Sequence, residues 1–245
     1  MGIALESAGK TDVGLVREKN EDSMLLEPAY GLYVVCDGMG GHVGGQVASQ
    51  LSVATISECV RTKSPAPAAD EPDLLVTAIR AANSAVFGKA RAEPGLHNMG
   101  TTVVALRGEG NFMHVCHVGD SRIYRLRQGN FEQITRDHSL VNLYEENPEL
   151  AVRFGPPNSN VIVRAVGLRD IVEVDHRKIS VEAGDIFLLC CDGLTDMVDD
   201  WMLKEMLLDG ANGSLDECCD TMVRAALSNG GVDNTTVILV RVSET

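Results

Sequence analysis

Short strand-like runs joined by tight turns constrain the fold of this chain more than any other feature. Apolar and β-branched residues recur in six such runs. The runs are Tyr30 to Cys36, Thr101 to Leu106, Phe112 to Val118, Arg122 to Leu126, Ile186 to Cys191 and Thr235 to Val242. Turns of hairpin length, Gly108 to Asn111 and Gln128 to Asn130, separate some of them. Neighbouring strands this close must pair antiparallel, because a parallel crossover needs about a dozen residues.

Three other segments have helical periodicity and predict amphipathic helices. Their predicted inner faces are Val47, Leu51 and Ala54; Leu75, Ile79, Ala82 and Val86; and Cys219, Met222 and Ala226. The proline-rich stretch from Pro65 to Pro72 predicts a solvent loop between the first two helices. Since strands and helices occur in blocks, we predict an α+β fold. We expect a four-layer αββα sandwich, two antiparallel sheets flanked by helix pairs, in one domain over residues 1–245.

Charge and composition exclude several classes of function. The 245-residue chain has a formal net charge of −14, which argues against a nucleic-acid surface and against anionic membranes. No apolar run reaches the roughly 18 residues that span a bilayer, and the N-terminus lacks a secretory signal pattern. The seven cysteines include no C-x-x-C pair, as expected for buried thiols in a reducing compartment. We therefore expect a cytoplasmic protein.

Four aspartates at the ends of predicted strands are the main candidates for chemistry. They are Asp37, Asp120, Asp192 and Asp233. Rigid strand ends hold carboxylates in place, and gathered carboxylates repel one another unless a cation lies between them. Hard oxygen ligands favour magnesium, manganese or calcium. An Asp-Gly pair such as Asp37-Gly38 is more often only a tight turn, but the adjacent glycine also lets a backbone carbonyl approach an ion.

Other motifs leave structural and functional interpretations open. The glycine-rich segment from Gly38 departs from a dinucleotide loop at Val43 and fits a turn that leads into a helix. Arg17 could bind phosphate oxygens as a planar fork, with Glu21 or Asp22 near a cation, or belong to a solvated loop. His42 is an acid–base candidate beside the glycines.

Two further histidines, His114 and His117, lie three apart on one strand and so point to opposite faces. We therefore expect core or supporting roles for them. The segment 138–164 is interrupted at Asn147-Pro148, Gly155-Pro156-Pro157 and Asn158-Ser159-Asn160, and it fits either a binding flap or a variable surface loop. Leu140 to Tyr144 within it predicts the start of a helix.

Taken in order, seven motifs resemble the metal-dependent protein phosphatase family of type 2C in its bacterial form. They are T-D-x-G-x-x-R-x-x-N-E-D from Thr11, D-G-M-G-G-H-x-x-G from Asp37, M-G-T-T from Met99, V-G-D-S-R-x-Y from Val118, D-H-S-L-V from Asp137, C-D-G-L-T-D from Cys191 and D-N-T-T from Asp233. Together they span nearly the whole chain.

The resemblance implies hydrolysis of phosphoserine and phosphothreonine in proteins by attack of a metal-bridging hydroxide. It assigns two Mn²⁺ or Mg²⁺ ions to Asp37, the Gly38 carbonyl, Asp192 and Asp233, with Glu21 and Asp22 nearby through water. Asp120, with Asp192, matches the site of a weaker third ion. Arg17 would hold the phosphate, and residues 138–164 would be the flap. Implied partners are phosphorylated proteins and a bacterial Ser/Thr kinase that the enzyme opposes, and we expect a monomer.

One position departs from part of the family. Eukaryotic members carry a histidine directly after the first D-G as the proposed general acid, whereas this chain has Met39 there and His42 three residues later. Either His42 or a metal-bound water could protonate the leaving group. Two other functions compete: a pseudophosphatase that binds phosphoproteins or a kinase without turnover, and a two-metal phosphodiesterase or nuclease. The acidic balance argues against the nuclease.

Overall fold

Two antiparallel sheets form the centre of the computed structural model, which describes residues 3–41, 43–63, 73–157 and 161–244. The strands are β1 Ile3–Asp12, β2 Ser23–Glu27, β3 Leu32–Cys36, β4 Gly38–Met39, β5 Gly100–Thr101, β6 Val103–Glu109, β7 Phe112–Val118, β8 Arg122–Arg127, β9 Asn130–Gln133, β10 Asp175–Ser180, β11 Ile186–Cys190 and β12 Thr235–Glu244. One sheet has the order β1-β12-β11-β8-β9 and the other β10-β7-β6-β3-β2; β4 and β5 pair separately.

Helices cover the outer face of each sheet. The helices of the described residues are α1 Gly44–Lys63, α2 Leu74–Ala92, α3 Leu140–Glu146, α4 Glu149–Phe154, α5 Asp192–Thr195, α6 Asp200–Gly210 and α7 Leu215–Ser228, with a 3₁₀ turn at Pro28–Tyr30. Helices α1 and α2 pack on the β3–β6–β7 side, and α6 and α7 pack on the β11–β12 side. The predicted four-layer α+β sandwich is confirmed.

Three apolar layers explain why the central strands read as continuous apolar runs. In β3, Tyr33 and Val35 point into the core between the sheets, whereas Leu32 and Val34 point toward α1 and α2. In β11, Phe187 likewise faces the core between the sheets while its neighbours face α6 and α7. Because both faces are buried, the usual alternation of apolar and polar residues is absent.

The predicted inner faces of the helices are confirmed for α2 and α7 and in part for α1, where Val47 and Leu51 pack against the core. Leu75, Ile79, Ala82 and Val86 are buried on α2, and Cys219, Met222 and Ala226 on α7. In α1, Ala54 is exposed, and the buried stripe instead contains Ala48, Ser52 and Ile56. The centre of the buried face is therefore displaced toward small residues that the apolar periodicity did not include, among them the fully buried Ser49 and Ser52.

The 138–164 segment contains two short helices. The predicted helix start at Leu140 is confirmed by α3, where the Ser139 hydroxyl accepts a hydrogen bond from the Asn142 amide at 3.3 Å. Helix α4 was not predicted, because Asn147-Pro148 and Gly155-Pro156 looked like breaks in regular structure. They are its two ends: Pro148 precedes the first turn, and Gly155 closes the last with φ +85°.

Two sequence predictions cannot be compared with the fold. The loop predicted between Pro65 and Pro72 and the position of His42 both lie outside the described residues. Within the described ranges, no helix combines the length and the apolarity needed to cross a membrane.

Candidate metal centre

The four strand-end aspartates line one cleft at the end of the sandwich. Asp37 directly follows β3, and one residue separates Asp120 from the end of β7 and Asp192 from the end of β11. Asp233 lies two residues before the start of β12. The cleft has a volume of about 1460 Å³, and its walls also include Gly38, Glu21 and Arg17. Asp22, which is 8% exposed, lies buried behind them. The fold therefore gathers all the acidic residues that were singled out in the sequence.

The carboxyls on the cleft floor raise one another's pKa. Burial, followed by the charges of Asp22 and Asp192, holds the pKa of Asp37 well above its usual range. Burial also raises the pKa of Asp192 and of Glu21. It raises the pKa of Asp120 to about 7, with the Asp192 charge as the next cause. Without a cation, these side chains resist being ionised together.

The orphaned oxygens of this cluster fit a divalent metal ion. Asp192 Oδ1 and Asp22 Oδ1 are buried and have no hydrogen-bond partner among the described residues. Asp22, Asp37 and Cys191 each place one ligand atom within 4.8 Å of the others. A buried carboxylate oxygen without a partner is costly, and a cation would satisfy it. The mainly oxygen donor set suits Mg²⁺ or Mn²⁺.

The glycines beside Asp37 keep backbone close to the carboxylates. A Cβ at Gly38 would collide with the carbonyl oxygen of Gly45 and lie 2.5 Å from that of Glu21. A Cβ at Gly45 would lie 2.5 Å from Glu21 Oε2. Side chains at either position would displace the backbone or Glu21, so the tight approach requires glycine.

Two threonines of the M-G-T-T motif fix the backbone of Asp37. The Thr102 amide donates to the Asp37 carbonyl at 2.8 Å, and the Thr101 hydroxyl donates to the same oxygen at 2.7 Å. In return, the Asp37 amide donates to the Thr102 hydroxyl at 3.0 Å. That hydroxyl also bonds Ser121 Oγ at 2.7 Å, next to Asp120. These bonds couple the positions of two of the carboxylates.

Asn234 holds the loop that carries Arg17 and Glu21, and sequence reasoning gave it no role. Its Oδ1 accepts from the Glu21 amide at 2.8 Å, and its Nδ2 donates to the carbonyls of Val13 and Lys19 at 2.9 Å each. The only sequence signal for this role was its place in the D-N-T-T motif. A short buried amide thus clamps three points of a loop more than 200 residues away in sequence.

Arg17 lines the cleft with a side chain that is largely accessible to solvent. Its Nη2 donates to Asp233 Oδ2 at 2.6 Å, and the side chain is 55% exposed. Arg122 also lines the cleft, but it is engaged by Asp137, with contacts of 2.8 to 3.1 Å from Nε and Nη2, and by the Tyr124 hydroxyl. Of these two guanidiniums, Arg17 is therefore the one whose donors remain available to a phosphate group.

Comparison with known proteins agrees with this geometry. The family model for protein phosphatase 2C matches residues 17–228. The chain is 38% identical over 98% of its length to the serine/threonine protein phosphatase PstP of Mycobacterium tuberculosis, but it spans only 45% of that relative. It is 35% identical to the serine/threonine phosphatase stp of Listeria monocytogenes, covering 94% of this chain and 93% of that one.

A solved structure gives the same picture of the fold. The catalytic domain of PstP, in complex with two manganese ions, superimposes with a TM-score of 0.83 at 36% identity, covering 99% of this chain and 100% of that one. The structural similarity therefore extends over the sheets and the helices, including the strand ends that form the cleft.

Proposed function

Because the chain belongs to the protein phosphatase 2C family, we propose that it is a metal-dependent protein serine/threonine phosphatase. Its substrates would be phosphoserine and phosphothreonine side chains in proteins. The observation that carries the proposal is a set of buried, mutually repelling carboxylates below an accessible arginine in one cleft. Such a floor suits cations, and such an arginine suits a phosphate. We assign the catalytic domain to residues 1–245.

Two core Mn²⁺ or Mg²⁺ ions would be held by Asp37, the Gly38 carbonyl, Asp192 and Asp233. Asp120, whose pKa rises through burial and the charge of Asp192, would hold a weaker third ion together with Asp192. Glu21 and Asp22 would support the ions from behind. When bound, such ions lower the pKa of a coordinated water and neutralise charge that develops on the phosphoryl group.

The protein's own residues would position the phosphorylated side chain. Arg17 keeps one arm on Asp233, which orients the guanidinium without using its other donors. Those donors can bind two phosphate oxygens in the bidentate geometry that arginine favours. Asn234 fixes the loop that carries Arg17, which would limit how far the guanidinium moves relative to the carboxylates.

The wide, open cleft supports a protein substrate rather than a small metabolite. Its volume of about 1460 Å³ exceeds the roughly 300–1,000 Å³ of most small-ligand pockets. One wall comes from the 138–164 segment through Ser139, Val141, Asn142 and Ile162. This segment would act as the flap that contacts the peptide around the phosphorylated residue.

The cellular role is a further part of the proposal. The enzyme would act in the cytoplasm as a monomer and reverse the action of a bacterial Ser/Thr kinase. All seven cysteines are free thiols, as in proteins of reducing compartments. His42, outside the described residues, stays a candidate for protonating the leaving group.

Hydrolysis of a phosphothreonine peptide tests the activity. We expect release of phosphate with Mn²⁺, none in excess EDTA, and little turnover of bis-p-nitrophenyl phosphate or DNA. Asp37→Asn should abolish turnover, whereas Asp209→Asn, an exposed position on α6, should not change it. Mn²⁺ binding without turnover would favour the pseudophosphatase, and faster diester hydrolysis would favour the phosphodiesterase; either result contradicts the proposal.

A further inference from the structure

A second cluster of metal-ligating side chains lies under α2, on residues that do not line the cleft. His114 and Cys116 are two residues apart on β7, so their side chains share one face of the sheet. His176 on β10 is the direct cross-strand partner of Cys116 and therefore shares that face. Asp73, the residue before the first turn of α2, packs over the same face. Strand register and a helix start thus bring together two imidazoles, a thiol and a carboxylate.

The ligand atoms of the cluster converge on a common space. His114 Nδ1 lies 3.2 Å from His176 Nε2, and Asp73 Oδ2 lies 3.4 Å from His176 Nε2 and in direct contact with His114 Nδ1. Cys116 Sγ is within 4.8 Å of ligand atoms of Asp73 and His176. Tetrahedral zinc with bonds of about 2.0–2.3 Å places its ligand atoms roughly 3.3–3.6 Å apart. Asp73 Oδ2, His114 Nδ1 and His176 Nε2 already lie within 3.4 Å of one another, and Cys116 Sγ is the fourth candidate ligand, near Asp73 and His176.

Neighbouring groups already orient two of these ligands. His114 Nε2 lies 3.1 Å from Glu109 Oε2, so the ring turns Nδ1 toward the cluster. A carboxylate on the far nitrogen is the usual support of a metal-bound histidine. Asp73 Oδ1 accepts the Leu75 amide at 2.9 Å as the N-cap of α2, which leaves Oδ2 for the cluster.

A comparable cluster nearby lacks room for an added cation. His117, His138 and Asp175 also place ligand atoms within 4.8 Å of one another. Arg164 Nη1, however, lies 2.9 Å from His138 Nε2 and 2.5 Å from Asp175 Oδ1. A guanidinium therefore already occupies the cationic position there. In the described part of the chain, the ion-pair partners of Asp73 are the two histidines.

We propose that His114, Cys116, His176 and Asp73 form a zinc site that joins the start of α2 to β7 and β10. Two nitrogens, one sulfur and one oxygen are a donor set that suits Zn²⁺ and closely matched ions such as Co²⁺, rather than Mg²⁺. Four protein ligands leave no open position, so the site would be structural and separate from phosphate hydrolysis. Cys116 is fully buried, so an ion would reach the site past the partly exposed His176.

Metal binding at this site would exchange protons for the ion. Zinc binds a thiolate and neutral imidazoles, so the ion would displace the proton of the Cys116 thiol and any proton that His114 or His176 carries on its ligating nitrogen. Affinity should accordingly rise with pH.

Cobalt titration tests the site through a readout independent of activity. With Mg²⁺ saturating the cleft, the wild type should bind one Co²⁺ and develop the near-ultraviolet absorption of a cobalt–thiolate bond. Cys116→Ser should abolish that absorption, whereas Cys219→Ser, another fully buried thiol, should keep it. Absorption that survives Cys116→Ser, or that is lost in Cys191→Ser beside the cleft instead, would overturn the proposal.

A second variant guards against a folding defect in Cys116→Ser. His176 lies on an edge strand and is partly exposed, so His176→Gln should fold with an unchanged melting temperature without metal. Zn²⁺ added in saturating Mg²⁺ should raise the melting temperature of the wild type, because a ligand that binds only the folded state stabilises it. The same addition should leave His176→Gln unshifted; equal shifts in both proteins would contradict the site.

Discussion

Buried aspartates in this protein occur in two opposite electrostatic settings. Asp185, with a fully buried side chain, receives Arg127 Nε at 2.7 Å and Nη2 at 2.6 Å, together with the Glu182 amide at 3.0 Å. Asp192, on the floor of the cleft, has a buried Oδ1 with no hydrogen-bond partner among the described residues and lies among other carboxylates. The first charge is neutralised by the chain itself, whereas the second is left for a cation from solution.

The difference shows what a functional site costs the fold. Both aspartates lie beside the same strand: Asp185 immediately precedes β11, and Asp192 follows Cys191 at its other end. A paired carboxylate can help to hold the fold together, but an unpaired buried one weakens it until a ligand arrives. If this comparison is right, removing the unpaired charge of Asp192 should stabilise the metal-free fold, whereas removing the arginine partner of Asp185 should destabilise it.

The largest expected effect is at the unpaired end. Asp192→Asn should lower kcat/KM on a phosphothreonine peptide at least about 10³-fold, a small part of the acceleration that enzymes provide. The same variant should melt at a higher temperature than the wild type in EDTA. Burial raises the pKa of the Asp192 carboxyl, which means that its ionised form is unfavourable in the folded protein, and the asparagine removes that carboxyl. Differential scanning calorimetry in EDTA checks this, and a lower melting temperature would break the comparison.

At the paired end, the expected effect is on stability alone. Arg127→Met should lower the free energy of unfolding by about 3–5 kcal/mol, because it strands the buried carboxylate of Asp185. Arg136→Met is the matched control: its ion pairs with Glu145 and Glu146 are exposed, so the expected loss is below about 1 kcal/mol. Urea unfolding measures both, and equal losses in the two variants would contradict the claim that Arg127 neutralises a buried charge.

Arg17 should show a smaller effect, on catalysis rather than on stability. Arg17→Lys keeps the positive charge beside Asp233 but loses the planar fork, so we expect kcat/KM to fall about 10- to 100-fold. Arg91→Lys, on the exposed end of α2, should change nothing and serves as the control. Steady-state kinetics on the same peptide measures kcat/KM for both variants. An unchanged kcat/KM in Arg17→Lys would show that the planar guanidinium of Arg17 does not bind the phosphate.

The smallest effect concerns pH. The pKa of Asp120 is raised to about 7 in the folded state, so the folded protein holds a proton there that the unfolded chain loses near pH 4. A raised carboxyl pKa costs stability as pH rises from about 4 to about 7. In EDTA, the stability of Asp120→Asn relative to the wild type should therefore increase across that window. Thermal melts of both proteins at several pH values measure this difference in stability. The histidines are the same in both proteins, so their contributions cancel. A difference that stays constant or decreases would refute the raised pKa of Asp120.

Much of the fold could be predicted because its central strands are buried on both faces. Runs such as Leu32–Cys36 and Ile186–Cys190 stand out by apolarity alone. Strand β10, with the sequence Asp-His-Arg-Lys-Ile-Ser, was missed because it lies at a sheet edge and carries mostly exposed polar side chains. Strand β1 was missed for a related reason, since its residues are only partly buried.

The candidate site, too, could be predicted only in part from the sequence. The four aspartates were predictable because each marks a strand end, a local property of the sequence. Asn234 was not, because its role depends on where the 13–21 loop folds back over it. The cluster of His114, Cys116 and His176 also depends on strand register: Cys116 and His176 are 60 positions apart and meet only through the pairing of β7 with β10. Contacts of this kind, between residues far apart in sequence, cannot be predicted from the local sequence pattern.

Anomalous diffraction from crystals grown with Mn²⁺ tests the central claim most directly. The unpaired carboxylates predict manganese peaks on the cleft floor, in contact with Asp37 and Asp192, and none beside the arginine-paired Asp185. A floor without manganese, with Arg17 or Lys19 reaching down to Asp192 instead, would show that the chain supplies its own cation there and would contradict the account.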